Sequence, residues 1–283
     1  MRLHSSQAFV LGTHALRETD RIVSILTREF GKKRGVARGA RRPRSAFGGA
    51  LEPMTEADVV YYEKEGSDLV SIRSVDPIRA SFSLSTDLER ALLLPAMAES
   101  LETFVSESDP AEPFYRLARH AMDALFAGGS AASTAAYFDL WILKLSGLFP
   151  PTRECARCET ALPETGPLSF DERLPGFLGP ECASAGVRIT AAGRRTLAQF
   201  LSGPLDPSAD LPGLAEVAAV TRLSRRHFLG HELKSQRVLA EVLSSPSLRS
   251  GVCLRHRRAA RPGAGSTARL TASLRYGSRG ANL

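Results

Sequence analysis

Residues 19–45 read TDRIVSILTREFGKKRGVARGARRPRS. In the first half, Ile22, Ser24 and Leu26 alternate with Val23, Ile25 and Thr27, which is the pattern of a β-strand over residues 21–28. Gly31 breaks the run, and residues 33–38 supply a second strand. Working outward, residues 8–13, residues 57–63 with the strand-forming VVYY, and residues 69–75 complete a set of five, separated by Gly39, Gly48, Gly49 and Gly66. Five short strands within about eighty residues predict a small closed barrel, of which the five-stranded oligonucleotide-binding (OB) type is the common nucleic-acid-binding form; an SH3-like barrel shares the pattern.

The second half of the stretch carries charge. Lys32, Lys33, Arg34, Arg38, Arg41, Arg42 and Arg44 place seven cations in fourteen positions with no acid among them. They cannot all find carboxylates locally, so an external anion is implied. The whole chain of 283 residues has a formal net charge of +7. Residues 244–283 contribute eight arginines and no acid, so a mildly acidic body bears two basic segments. Segregated positive charge attracts polyanions through its field and through counterion release. Glycines around the first segment predict a flexible connection whose forked guanidinium donors suit phosphate oxygens. Phe30, Phe47, Tyr61 and Tyr62 are the aromatics near it; bases can stack on such rings, while the competing reading makes Phe30 core and the tyrosines fillers of the sheet face.

With 43% apolar and 24% charged residues the chain is core-forming. Its longest apolar run, residues 91–98, is too short to span a membrane, and the first twenty residues lack a signal-peptide centre. A cytoplasmic protein with no membrane partner is expected. After Pro77 the texture becomes helical. Thr86 and Glu89 form a capping box ahead of Leu88, Ala91, Leu92, Ala98, Leu101 and Val105, with a kink expected at Pro95. Pro113 opens a second helix that Gly128 and Gly129 close, and a third follows over residues 131–147. Helical signals return over residues 190–201 and 214–243. In the last of these, Arg222, Arg225, Arg226, Lys234 and Arg237 share half the circumference, either as an extension of a phosphate track or as a solvated face. The segments that follow are 1–80 as barrel, 81–150 and 188–243 as two parts of a helical domain, 151–187 as an insertion, and 244–283 as an arginine-rich tail too poor in apolar residues to order. The fold class is α+β.

Cys155 and Cys158 form a CxxC turn of the kind that presents two thiolates to one zinc ion, and Cys182 follows in GPEC. A structural zinc site wants four ligands. The place three residues before Cys182 is Gly179, so Cys155, Cys158 and Cys182 form an incomplete set for Zn2+, which Cys253 would have to close from the tail. No P-loop, GxGxxG, GxSxG or HExxH is present, and Glu18 and Asp20 read as local partners of Arg17 and Arg21, so catalysis is not expected.

The run LRETDRIVSILTREFGKKRGVARGARRPRSAFGGALEPM, the CxxC segment with FDERLPGFL and PEC, and the closing HELKSQRVL resemble the bacterial RecO family of DNA repair proteins over residues 1–243. The resemblance implies an N-terminal OB-type barrel, a helical domain and a zinc-finger-like insertion, in a non-enzymatic, nucleoid-associated recombination mediator. It implies binding of single- and double-stranded DNA, annealing of complementary strands, contact with the C-terminal tail of single-stranded-DNA-binding protein, and cooperation with RecR to load RecA. The family's basic barrel surface maps onto Lys32, Lys33, Arg34, Arg38, Arg41, Arg42 and Arg44. Many members carry two CxxC pairs, from which Gly179 departs. A barrel-based RNA-binding or translation-associated protein is the alternative that the same basic loop would serve.

Overall fold

The computed structural model describes residues 1–107, 109–174 and 176–244. Ser244, the expected start of the arginine-rich tail, ends the last helix, and the rest of the tail with Cys253 lies outside the described residues. The first strand, β1 (Arg2–Ala15), runs the length of the barrel; its early part pairs with β4 (Glu56–Glu63) and its later part with β2 (Arg21–Thr27). A bulge between Val10 and Gly12 bends it as it passes from one neighbour to the other. Strand β3 (Gly31–Ala37) pairs antiparallel with β2 and parallel with β5 (Val70–Arg79), which returns to β4. The order β1-β2-β3-β5-β4 closes into the expected barrel and leaves no free edge.

Two cores explain the sequence pattern. Inside the barrel lie Ala8, Val10, Val23, Ile25, Val59, Tyr61, Val70 and Ile72. Gly35 faces the same interior, where a Cβ would fall 2.7 Å from Ile72 Cγ1 and Val70 Cγ2. On the outside of β1 and β2, Phe9, Leu11 and Leu26 join a second core with Leu93, Met97, Leu101 and Tyr115 of the helices. Residues 8–11 and 23–27 are therefore buried on both faces.

The helix α1 (Leu88–Phe104) passes through Pro95 as one element and is capped by Asp87, whose carboxylate accepts from the Arg90 N–H at 2.9 Å; the expected cap at Thr86 is thus displaced by one residue. Helices α2 (Glu112–Phe126) and α3 (Ala131–Leu145) follow as expected. The insertion holds a small sheet of β6 (Leu168–Asp171), β7 (Gly176–Leu178) and β8 (Val187–Ile189), in the order β7-β6-β8. Helix α4 (Ala191–Ser202) comes next. The single helix expected over residues 214–243 is instead two, α5 (Leu214–Leu229) and α6 (Lys234–Ser244). Gly230 stops the first by adopting a left-handed φ of 73°, and its N–H caps the Arg226 carbonyl.

Polar clamps join barrel to helices. Glu56, buried on β4, accepts from the Tyr115 hydroxyl at 3.0 Å and from Arg79 Nη2 at 3.1 Å, and Arg79 also reaches Asp123. Burial, with the Glu56 carboxylate beside it, pushes the Tyr115 phenol well above its ordinary pKa. Within the helices, Arg225 Nη1 donates to Asp139 Oδ2 at 2.5 Å, and Gln236 Nε2 donates to Asp139 Oδ1 at 3.0 Å. No helix among the described residues is long and apolar enough to cross a membrane.

Candidate nucleic-acid interface and metal site

The cations of residues 32–44 do not form a single surface. Lys32 points away from the barrel interior, but α1 covers that stretch and leaves the side chain 8% exposed. Its Nζ donates to the Glu102 carbonyl at 2.6 Å, near the end of α1, where helix carbonyls lack partners. Burial pushes the Lys32 pKa down, against the pull of Glu107 and Glu102. Lys32 is therefore a clamp between barrel and helix, which corrects its expected place on an open track. Lys33 Nζ pairs with Glu63 Oε1 at 2.9 Å, and that contact holds the Glu63 carboxyl below its usual range. Arg34 is exposed, 3.8 Å from Glu107.

Arg38, Arg41, Arg42 and Arg44 are all exposed and lie on a chain of tight turns. The Arg42 N–H donates to the Gly39 carbonyl at 3.1 Å and the Ser45 N–H to the Arg42 carbonyl at 3.0 Å. At the far end Phe47, 6% exposed, plugs the barrel core. At the near end the turn between β1 and β2 holds the segment. Gly39 N–H donates to Asp20 Oδ1 at 2.9 Å, Arg41 N–H to the Thr19 carbonyl at 2.9 Å, and Arg41 Nη1 to the Arg17 carbonyl at 2.9 Å. The Gly39 N–H, followed by the Thr19 hydroxyl, keeps the Asp20 carboxyl below its ordinary pKa. Asp20 is thus a backbone anchor for the basic loop, a role the sequence reading missed in treating it as a charge partner. The loop expected to be flexible is fixed at both ends. Among the described residues, none of these four arginines lies within 4.0 Å of a carboxylate oxygen.

The second cationic stripe is not a track. Arg225 is buried against Asp139, Arg226 pairs with Glu172, and Arg222 lies 4.0 Å from Glu232. The break at Gly230 then separates these three from Lys234 and Arg237. Of the aromatics, Phe47 and Tyr61 are buried in the barrel and Phe30 packs half-buried against it. Tyr62 remains half-exposed, its hydroxyl accepting from Arg73 Nη1 at 3.1 Å.

In the insertion, the sulfur atoms of Cys155, Cys158 and Cys182 lie within 4.8 Å of one another. Backbone bonds fold residues 153–162 back on themselves: Leu162 N–H to the Arg153 carbonyl, Cys155 N–H to that of Thr160, and Glu159 N–H to that of Cys155. The N–H groups of Cys158, Gly179 and Arg157 aim at the Cys155 sulfur and lower its pKa, while the neighbouring thiols raise that of Cys182. Zinc–sulfur bonds of about 2.3 Å put tetrahedral sulfur ligands roughly 3.8 Å apart, so this spacing suits three corners of a zinc tetrahedron. These cysteines could hold a metal ion, which would cross-link the turn to the sheet. No fourth His, Cys, Asp or Glu joins them among the described residues.

Residues 1–81 match the family model for the N-terminal part of recombination protein O, and residues 85–237 match the model for its C-terminal part. The chain belongs to the RecO family. Among its RecO relatives, the DNA repair protein RecO of Koribacter versatilis (strain Ellin345) is 30% identical over 245 residues, covering 85% of this chain and 98% of the relative. The DNA repair protein RecO of Anaeromyxobacter sp. (strain K) is 36% identical over 236 residues, covering 80% and 91%. RecO membership supports a role in DNA repair.

The three-cysteine set of this RecO chain has a checkable consequence at Gly179. Its φ of −72° suits any residue, and an added Cβ would meet only Leu162 Cδ2, at an ordinary 3.6 Å. Four-ligand zinc in small fingers is worth about 10–16 kcal/mol, so a fourth thiolate supplying even half of a proportional share would tighten binding by roughly tenfold or more. Gly179→Cys is therefore expected to raise zinc affinity by at least that factor in competition with a chromogenic chelator. Unchanged affinity would show that position 179 does not reach the ion.

Proposed function

We propose that this chain is a non-enzymatic recombination mediator that grips single- and double-stranded DNA through the ridge of Arg38, Arg41, Arg42 and Arg44, flanked by Arg34. The observation that carries the proposal is four exposed guanidinium groups on an anchored loop, with no carboxylate in ion-pair contact. Each keeps forked donors for phosphate oxygens, and none is placed by the fold to select a base.

Strand annealing follows from that arrangement. Two DNA strands repel each other, and a cationic ridge that binds both backbones lowers the repulsion while the bases stay free to pair. Selectivity then comes from the strands themselves. In the same reading the chain works with RecR to load RecA on DNA coated by single-stranded-DNA-binding protein. The tail of that protein would seat in the cleft of about 460 Å³ between α2, α3 and the end of α4. Leu117, Tyr137, Trp141 and Leu201 give that cleft an apolar lining, and Arg116 and His120 add cationic or polar groups suited to an acidic peptide.

The test is annealing of complementary oligonucleotides coated with single-stranded-DNA-binding protein. Faster annealing with the parent chain, lost on reversal of the ridge charges, supports the reading. Annealing at the uncatalysed rate would overturn it.

A further inference from the structure

The outer face of the barrel beside the ridge carries a feature that phosphate binding does not use. Across four strands the register aligns Val36 of β3 with Ser71 of β5, Ser71 with Tyr62 of β4, and Tyr62 with Leu3 of β1. The neighbours Gly35 and Ala37, Val70 and Ile72, Tyr61, and His4 are buried, with Arg2 exposed and Glu63 partly so at the strand ends, and the aligned row faces outward. Leu3 is 53% exposed and Tyr62 is half-exposed beside it. The row thus sets an exposed leucine beside a partly exposed aromatic ring on the outer face of the barrel.

A bulge brings a cation to this row. Opposite Val60 and Tyr61, strand β5 carries one extra residue: Val60 pairs with Ser74 and Tyr61 with Ile72, leaving Arg73 without a partner in the ladder. Bulges of this kind re-aim a side chain. Arg73 is exposed, and its Nη1 donates to the Tyr62 hydroxyl. Ala37 pairs with Ile72 at the end of the parallel β3–β5 ladder, so Arg38, the first arginine of the ridge, and Arg73 each follow directly on one member of that last pair. The row is therefore continuous in charge with the basic loop.

The geometry points to Tyr62, with Arg73 and Leu3 at its sides, as a stacking platform for the bases of single-stranded DNA whose phosphates lie on the ridge. This rests on the DNA-binding reading above and adds what that reading lacks, a reason to favour single strands. An aromatic face accepts any base, and a guanidinium adds its own stacking and charge. Duplex DNA keeps its bases stacked internally and cannot use the platform.

The test compares affinities for an oligo-dT, an abasic deoxyribose-phosphate strand of equal length, and a duplex, by fluorescence anisotropy over a salt series. Tyr62→Ala is expected to weaken oligo-dT binding about tenfold, the loss of roughly one stacked base. Its affinities for the abasic strand and the duplex, and its salt slope, stay as in the parent. Tyr62→Leu keeps the apolar bulk without the ring and shows the same loss should the alanine variant fold poorly, whereas Tyr62→Phe binds as the parent does. A Tyr62→Leu variant that binds oligo-dT like the parent, or that loses duplex and single strand alike, overturns the platform. Failure of the parent chain to bind any of the three polymers overturns both readings. Parent binding that collapses on charge reversal of the ridge, yet ignores Tyr62, overturns the platform alone.

Discussion

Reversing Arg38, Arg41 and Arg42 together to Glu is expected to cut affinity for single-stranded DNA by at least about 100-fold at 0.1 M salt, with no dependence on sequence. Each phosphate contact on a single strand contributes about 0.7 to the slope of log affinity against log salt. Relative to 1 M salt, each is then worth about 0.7 decades at 0.1 M, and three are worth about two. Reversal adds repulsion beyond simple loss, so the figure is a floor. With Arg34 and Arg44 left in place, the slope should fall from about −3.5 to about −1.4. The three side chains are exposed, so the variant should melt near the parent temperature. A gel shift at low salt that finds full affinity in a folded variant would remove the ridge from the account.

The barrel was legible because its strands obey a period of two between glycines. Residues 21–28, 33–38 and 57–63 lie within two residues of β2, β3 and β4 as they stand. β1 was read too short, as residues 8–13. Its start, RLHSSQ, turns His4 and Ser6 inward and Leu3 outward, so the polarity that marks a half-buried strand is inverted there. The three strands of the insertion, β6, β7 and β8, have three or four residues each, too few for any period to show. The break at Gly230 was hidden because apolar spacing resumes at Leu233 on the far side. A left-handed φ at Gly230 opens the four-residue break, residues 230–233, that separates the two helices.

The site was legible in its charge and not in its contacts. Seven cations without an acid can be counted in a sequence, but which of them are spent inside the protein depends on what covers each strand. Lys32 is opposite Leu26 on β2, and both face α1, so an apparently solvent-facing lysine becomes a helix clamp. Asp20 anchors the loop only because two turns distant in sequence meet at one end of the barrel. The cysteines show the opposite balance. CxxC is a local geometry, so the Cys155–Cys158 pair was legible and Gly179 already marked a missing corner, whereas the approach of Cys182 depends on how the insertion folds.

The second large effect is expected far from DNA. Asp139 on α3 is the hub of a buried network: it takes Arg225 of α5 on one oxygen and Gln236 of α6 on the other, and Gln236 Nε2 also donates to Ser100 of α1 at 3.1 Å. The Arg225 side chain is 5% exposed. Asp139→Ala would leave that guanidinium buried without its carboxylate, a change that costs about 3–5 kcal/mol. In a folded unit of this size each kcal/mol moves the midpoint by about 2–4 °C, so melting should fall by about 10 °C. Replacing both partners, Asp139→Leu with Arg225→Met, removes the stranded charge and should recover most of that loss, because a buried ion pair contributes little beyond what apolar packing of similar volume supplies. Calorimetry on the two singles and the double decides the matter. A double variant no more stable than Asp139→Ala would mean that the network holds the four helices by geometry that apolar packing cannot replace. Below the lowered midpoint, Asp139→Ala should still bind single-stranded DNA as the parent does, since the ridge and its anchors belong to the barrel and touch none of these residues.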